Sequence, residues 1–188
     1  IRAGKQSQSD YTLMNDLDIS IRGNEFKHLL FHFILPYSKW EYASICSTES
    51  FDSLSKGYED AVWNLGFVAP EHRTDNLSAA SKRIGKKRVS TDKWLEFMRH
   101  YSVIPSRNNP GKSNENGSIE KSHDLLKNDI RQQLMLRGSK DFNEIAEYTE
   151  FLQEIINRRN SMRSDKLAEE MKLLKPLPEK KYYAPEII

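Results

Sequence analysis

The order of predicted elements indicates an α/β protein built on one mixed, five-stranded sheet with flanking helices. Three antiparallel strands come first, followed by a helix, a strand, a second helix and another strand, after which the chain is helical. The strands are predicted because apolar and β-branched residues fill short runs between turn residues. The helices are predicted because apolar residues recur at spacings of three and four.

The three antiparallel strands are predicted within residues 10–47. Short segments at 10–14 and 19–22 precede a turn signal at Gly23 and Asn24. The run at 26–38 is almost continuously apolar up to Pro36, which is typical of a strand buried on both faces. Residues 40–47 are rich in aromatic and β-branched side chains, and these favour a pleated partner for the buried strand.

A change of hydrophobic period marks the start of the helical part. Apolar residues from Phe51 to Leu65 form one stripe, which predicts a helix that begins after Ser50 and ends at Gly66. Similar patterns and breakers predict further helices at 91–101, 118–136 and 165–174 and short strands at 71–75 and 102–105.

The chain divides into three predicted parts. Residues 1–138 form the core, and residues 139–178 form a C-terminal helical extension of it. Within this extension, Asp141 and Glu144 have the spacing of a capping box at the start of a helix. Residues 179–188 are predicted to be a linker to a further C-terminal region, and the initial Ile1 suggests a piece of a longer protein.

The composition excludes several classes of protein. Of the 188 residues, 37% are hydrophobic and 30% charged, which excludes collagen-like and wholly disordered chains. The longest apolar run, 29–35, is far shorter than the ~20 residues of a membrane-spanning helix. Cys46 is the only cysteine, so a disulfide framework and a cysteine-based zinc site are excluded, and a reducing compartment is indicated.

Positive charge is concentrated in one part of the sequence. Residues 76–113 contain nine basic and two acidic side chains, a local charge of +7 in a chain whose formal net charge is +2. Such clustering suits a polyanion, because bound phosphates release counterions, but a solvated basic loop has the same composition. The candidate phosphate contacts in this segment are Lys82, Arg83, Lys86, Lys87 and Arg88.

Carboxylates are the remaining candidates for chemistry, because the sequence contains no phosphate-binding glycine loop and no cysteine–histidine metal motif. Asp10 lies on the first strand, Asp75 ends a short strand, and Glu120 lies in the first turn of a helix. Three such acids on separate elements could hold two Mg²⁺ ions around a phosphodiester. The pattern leaves competitors open: Asp16 and Asp18 for Asp10, and Glu115 for Glu120.

The strings around these acids resemble the catalytic core of IstA-type insertion-sequence transposases. The two most specific are HRTDNLSAA at 72–80 and NENGSIEKSH at 114–123. The family belongs to the integrase-like DDE recombinases with an RNase H-like fold. The resemblance implies that Asp10, Asp75 and Glu120 form a catalytic triad that binds Mg²⁺ or Mn²⁺. Shorter matches extend it to nearly the whole chain: 9–12, 28–33, 36–41, 49–51, 136–142 and 174–178.

The same resemblance implies an activity and partners. Water and then a DNA 3′-hydroxyl would attack phosphodiesters at transposon ends and target DNA. The implied partners are DNA, an ATPase helper protein and further copies of the full-length protein, in a bacterial cytoplasm close to the nucleoid. His123 and Lys127 follow Glu120 by three and seven residues and are further candidates for DNA phosphate contacts. Two alternatives stay open: an inert DNA-binding or assembly domain of the same fold, and a nuclease that only hydrolyses.

Overall fold

The computed structural model describes residues 2–74, 86–107 and 117–183, and the side chains of residues 86–91 lie outside this description. Ten strands and five α-helices lie in these ranges. The strands are β1 (Gln6–Leu13), β2 (Ser20–Ile21), β3 (Asn24–Glu25), β4 (Leu29–Ile34), β5 (Glu41–Cys46), β6 (Phe67–Val68), β7 (Glu71–Thr74), β8 (Ile104–Arg107), β9 (Asp141–Phe142) and β10 (Lys175–Pro176). The helices are α1 (Phe51–Leu65), α2 (Lys86–His100), α3 (Gly117–Arg137), α4 (Ile145–Ser161) and α5 (Ser164–Met171).

The main sheet has five strands in the order β5-β4-β1-β7-β8. β4 pairs antiparallel with both β1 and β5, whereas β7 runs parallel to β1 and β8 runs parallel to β7. The parallel connections pass through α1 and α2, as crossovers between parallel strands require. The mixed five-stranded sheet with flanking helices is therefore confirmed.

Two hydrophobic clusters cover the two faces of this sheet. Phe31 and Phe33 of β4 belong to the cluster that includes residues of α1 and α2. Leu30, on the same strand, belongs to the cluster that includes residues of α3 and α4. Because neighbouring side chains of a strand point to opposite faces, β4 is buried on both sides, as its apolar run predicted.

Helix α1 has the boundaries that its sequence predicts. The Ser50 side chain accepts a hydrogen bond from the Ser53 N–H, and Gly66 ends the helix with φ of +92°. Gly57 faces the sheet, and a Cβ atom there would lie 2.7 Å from the Phe31 ring. The missing side chain thus lets α1 approach β4 closely.

The predicted capping box at the start of α4 is wrong. Asp141 belongs to β9, which pairs with β2, and its carboxylate accepts hydrogen bonds from the Ser20 hydroxyl and the Gly23 N–H. Glu144 occupies the N-cap position without a side-chain capping bond. The aspartate instead fixes the β2–β3 hairpin, whose turn is at Arg22 and Gly23 rather than at Gly23 and Asn24.

The C-terminal segments pack against the sheet and its helices. Asn160 of α4 exchanges two hydrogen bonds with the backbone of Glu41, and Gln153 donates to the Ala43 carbonyl. These amides satisfy backbone groups of the edge strand β5 that would otherwise be open to another chain. In the predicted linker, the Tyr182 and Tyr183 rings pack against the cluster around α2. No helix within the described ranges has the length and apolar character to cross a membrane.

Candidate active site

Asp10 lies in the middle of the central strand β1, on the face of the sheet that α3 covers. One carboxylate oxygen, Oδ1, accepts a hydrogen bond of 2.8 Å from the Tyr11 N–H. The other, Oδ2, lies 3.8 Å from Nε2 of His123, and 14% of the Asp10 side chain is exposed. Asp10 is therefore held by its own strand and remains accessible.

Helix α3 brings Glu120 to the same side of the sheet as Asp10. The helix packs against β1 and β4, with Ile119, His123 and Leu126 buried. Glu120 lies in its first turn, exposed, one residue after the buried Ile119. The contact between Asp10 and His123 therefore places Asp10 beside the first turns of α3.

Asp75 and Glu115 lie outside the described residues. Thr74, which precedes Asp75 in the sequence, pairs in register with Ser9, which precedes Asp10. Within the described ranges, no three histidine, cysteine, aspartate or glutamate side chains are grouped closely enough to hold a metal ion.

The two competitors of Asp10 have other surroundings. Asp16 forms ion pairs with Lys127 at 3.2 Å and with Arg131 at 2.6 Å. Asp18 is exposed and has φ of +54° at the end of the 3₁₀ turn Asn15–Leu17. Of the three aspartates, Asp10 is the one in contact with His123, which lies one helical turn after Glu120.

A chain of buried polar groups runs from Asp10 along the face of the sheet that α3 and α4 cover. Nδ1 of His123 lies 2.7 Å from Nδ1 of His32, and Nε2 of His32 lies 2.8 Å from Glu41. The second Glu41 oxygen accepts from Arg159 at 2.7 Å and from Arg163 at 2.5 Å. Glu41 is only 1% exposed, so its charge depends on these partners.

The protonation of this chain follows from its geometry. Burial alone raises the pKa of Glu41, but the His32 hydrogen bond and the two arginine charges outweigh it and lower the pKa to about 2. Burial lowers the pKa of His32, so we take this ring as neutral, with its Nε2 proton donated to the ionised Glu41. His32 Nδ1 is then an acceptor, and His123 donates the shared proton.

A buried ring nitrogen without a protein partner lies beside Asp10. Nε2 of His123 is buried and has no hydrogen-bond partner among the described residues. It lies 3.8 Å from Oδ2 of the Asp10 carboxylate. A buried polar atom of this kind is typically satisfied by a water molecule or an ion.

Little in the sequence indicates this polar chain. His32 stands out only as a polar interruption in an apolar strand, and Glu41 is one of 27 acidic residues. The spacing from Glu120 predicts that His123 contacts DNA phosphate; its ring is buried against His32, and the contact with DNA stays a prediction. The Lys127 amine bonds to the Leu13 carbonyl and to Asp16.

The candidate phosphate contacts of the basic segment are only partly described. Lys82 and Arg83 lie outside the described residues. Lys86, Lys87 and Arg88 belong to the first turn of α2, but their side chains lie outside the description. Their contact with DNA stays a prediction.

A second buried histidine supports β1 on its other side. His72 of β7 lies between the hydroxyls of Ser7 and Ser9, at 2.7 and 2.8 Å, and its ring stacks on Phe33. Burial lowers the pKa of His72 from 6.5 to about 3. The ring is therefore neutral, with one nitrogen donating and the other accepting, and it joins β1, which carries Asp10, to β7, which ends at Thr74.

We expect the free energy of unfolding to fall as the pH falls below about 6.5. Below this pH the unfolded His72 side chain binds a proton, whereas the folded ring stays neutral down to about pH 3. The slope is at most about 1.4 kcal/mol per pH unit for this group, and above pH 6.5 it vanishes. Urea unfolding between pH 8 and pH 4.5, with the His72 ring resonances followed by NMR, measures both quantities. A folded His72 that titrates near pH 6.5 would contradict the prediction.

Comparisons with known proteins extend the description of the fold. No protein-family model matches the chain. An uncharacterized protein of Sinorhizobium fredii is 40% identical over 181 residues, which are 95% of this chain and 36% of that protein. The chain thus spans about a third of the length of this curated relative.

Solved structures of retroviral integrases resemble the chain in fold. The magnesium complex of the HTLV-2 integrase catalytic core in its dimeric form is 18% identical, with a TM-score of 0.52 over 72% of this chain and 75% of that one. A simian T-cell lymphotropic virus intasome with a PP2A regulatory subunit is 14% identical. Its TM-score is 0.61, over 82% of this chain and 47% of that one. The BIV integrase catalytic core is 12% identical, with a TM-score of 0.54 over 81% of this chain and 81% of that one. The chain has the RNase H-like fold of the integrase catalytic cores.

Proposed function

We propose that this chain is the catalytic core of a DNA transposase of the IstA type, which cleaves and joins DNA by phosphodiester transfer. One observation carries the proposal: on an integrase-type sheet, the Asp10 carboxylate lies against His123, one turn after Glu120 on α3. The pairing of Ser9 with Thr74 supports Asp75 as the third acid, because Asp10 and Asp75 follow paired residues of parallel strands.

The proposed cofactor is Mg²⁺ or Mn²⁺, held by Asp10, Asp75 and Glu120. Carboxylate oxygens are the ligands that these ions prefer, and the partly exposed Asp10 carboxylate lies beside the unpartnered Nε2 of His123. When bound, a pair of such ions lowers the pKa of an attacking hydroxyl and stabilises the leaving oxygen.

The protein side chains hold this site in position. The Tyr11 N–H fixes one oxygen of Asp10, and the rigid pairing of β1 with β4 and β7 limits movement of the strand. The His32–Glu41 chain fixes the His123 ring, and α3 carries both His123 and Glu120. Preorganised ligands of this kind need no reorganisation when the phosphodiester enters.

The proposed partners are transposon-end and target DNA, further copies of the full-length protein and an ATPase helper. The HTLV-2 integrase core with magnesium was solved in a dimeric and a trimeric form, and a simian T-cell lymphotropic virus intasome was solved as well. We extend DNA binding and oligomerisation to this chain on that likeness, and the helper on the resemblance to IstA-type transposases.

One experiment separates the proposal from its two alternatives. The full-length protein is incubated with transposon-end DNA, a target plasmid and Mg²⁺, and the products are resolved by length. A transposase core joins the 3′ end to the target, a nuclease only shortens the DNA, and an inert domain leaves it unchanged. Absence of joined product with active helper protein present would refute the transposase assignment.

Neutralising the basic segment should weaken DNA binding without dependence on sequence. Changing Lys82, Arg83, Lys86, Lys87 and Arg88 to alanine is expected to flatten the slope of log K against log salt by up to ~0.9 for each phosphate that the protein no longer neutralises. Fluorescence anisotropy with duplex DNA at several salt concentrations measures the slope. A matched control removes five exposed lysines elsewhere: Lys5, Lys27, Lys140, Lys172 and Lys180. Equal slopes for the two variants would show that these five side chains do not contact DNA phosphates.

A further inference from the structure

A basic pocket lies between the β4–β5 turn, α3 and the C-terminal helices. Its cavity measures about 260 Å³. Four cationic side chains and two serine hydroxyls line it together with one apolar side chain: Lys39, Lys121, Arg159, Arg163, Ser118, Ser122 and Leu125. Nothing in the proposed catalytic chemistry uses this pocket.

The pocket is separate from the proposed metal site. Ser118, Lys121, Ser122 and Leu125 follow one another at helical spacing and form one stripe of α3. Because each residue turns the helix by about 100°, this stripe lies roughly opposite Glu120 across the helix axis. A ligand in the pocket therefore lies on the far flank of α3 from the proposed catalytic carboxylates.

The two arginines of the pocket are held rigidly. Both donate to the buried Glu41, and Arg159 also donates to Asp129 at 3.3 Å. Their side chains are only 14% and 19% exposed. A guanidinium carries five N–H groups in a fixed fork, so arginines held in this way can still donate to an oxygen-rich ligand.

Positive charge exceeds negative charge around the cavity. The four cations face two carboxylates, Glu41 and Asp129, and this leaves a net charge of +2. Burial and the charges of Lys121, Arg163 and Lys166 lower the pKa of Lys39. An anion in the pocket would relieve this repulsion.

Lys39 also has an unusual backbone conformation. Its φ of +69° lies in the left-handed region, where a residue with a side chain is less stable than in the right-handed region. Its amine reaches across to Ser118 and donates to the hydroxyl at 3.2 Å. A glycine would suit the turn better, so the lysine is explained by its amine rather than by the fold.

We infer that this pocket binds a backbone phosphate of a nucleic acid at a point away from the reacting phosphodiester. Forked guanidinium groups, ammonium groups and serine hydroxyls are the donors that proteins direct at phosphate oxygens. The choice of nucleic acid as the source of the phosphate rests on the proposed function. The contact would hold a DNA segment across α3 and fix the register of the strand that enters the metal site.

The test compares two variants of the 188-residue chain in the absence of divalent metal. The pocket variant carries Lys39→Gly and Lys121→Ala, which leaves the arginines and Glu41 intact. The control variant carries Lys140→Ala and Lys172→Ala, two exposed lysines outside the pocket. The probes are inorganic phosphate, followed by NMR at the amides of residues 39, 118, 121 and 122, and a short duplex DNA, followed by anisotropy at several salt concentrations.

The expected result has two parts. Phosphate shifts the pocket amides of the wild-type chain, and the salt slope for DNA falls by up to ~1.8 in the pocket variant and by less in the control variant. Thermal melting should show the pocket variant to be at least as stable as wild type, because the glycine introduced by Lys39→Gly suits the turn and one source of repulsion is gone.

Three outcomes would overturn the inference. Equal slopes for the two variants, without phosphate shifts, would show a purely structural cluster. Phosphate shifts with equal slopes would assign the pocket to a small phosphorylated ligand, and displacement of DNA by polyglutamate of equal charge would assign it to an acidic protein. Since no metal is present, each result is independent of whether the chain cleaves or joins DNA.

Discussion

Asp10→Asn is expected to abolish Mg²⁺-dependent cleavage and joining of DNA while leaving the fold intact. The Tyr11 N–H can still donate to the amide oxygen, so the side chain keeps its position. A neutral amide, however, is a weaker ligand for a divalent ion than a carboxylate is. Removing an outer partner of a metal ligand typically costs about 10–100-fold in activity, and removing the ligand itself should exceed about a hundredfold.

Strand transfer by the full-length protein measures the loss of activity. Thermal melting with and without Mg²⁺ measures the loss of metal binding that causes it. Mg²⁺ should raise the melting temperature of the wild type and have little effect on Asp10→Asn. Asp75→Asn and Glu120→Gln should give the same result. Without metal, Asp10→Asn should be neutral or slightly stabilising, because the proposed group of three carboxylates then carries one negative charge fewer.

Asp18→Asn provides the matched control. It makes the same chemical change in an exposed residue of the following turn, and asparagine tolerates the left-handed backbone of Asp18. Activity close to wild type is expected. If Asp18→Asn were inactive and Asp10→Asn joined DNA, the catalytic aspartate would be assigned to the turn instead of β1.

Elements with local signals could be predicted from the sequence. Helix α1 is an example, because Ser50 supplies its own capping oxygen and Gly66 its own left-handed stop. The buried strand β4 is another, because its apolar run reflects burial on both faces. In both cases the residues that determine the element lie within it or next to it.

Elements that depend on distant partners could not be predicted in this way. Asp141 has the spacing of a capping residue, but the β2–β3 hairpin, far earlier in the chain, takes its carboxylate. The pair formed by His32 and Glu41 depends on the register of β4 with β5, in which these residues are diagonal neighbours. Its arginines come from a distant part of the chain, on and after α4.

The residues of the candidate site could likewise be predicted only in part from the sequence. Composition and periodicity do not distinguish Asp10 from Asp16 and Asp18, and the resemblance to a family separates them. The structure adds a physical distinction, since Asp10 faces His123 on α3 whereas Asp16 is occupied by Lys127 and Arg131. The role of Asp75 stays a prediction.

Glu41→Gln is expected to lower the free energy of unfolding by about 3–5 kcal/mol, the usual cost when one member of a buried ionic set is removed. Glutamine has nearly the same shape, but it removes the one negative charge that Arg159, Arg163 and His32 share. The carboxylate is 1% exposed, so water cannot replace it. Urea unfolding at pH 7 gives the difference directly.

The contribution of Glu41 should also depend on pH in a defined direction. Its pKa is lowered from 4.5 to about 2 in the folded protein, so the stabilisation is complete above pH 4.5 and disappears as the pH falls from 4.5 toward 2. The stability difference between wild type and Glu41→Gln should therefore shrink over this window. A difference that stays constant down to pH 3 would contradict the prediction, because the stabilisation would then not depend on ionisation of the carboxylate.

Two further variants identify the cause of the destabilisation by Glu41→Gln. Glu154→Gln makes the same change on an exposed part of α4, and its effect should lie within about 0.5 kcal/mol of zero. Adding Arg163→Met to Glu41→Gln should recover part of the stability, because one unpaired cation is then removed from the cluster. If the double variant were destabilised as much as the two single variants combined, Glu41 and Arg163 would not be energetically coupled, and the unpaired Arg163 would not be the cause.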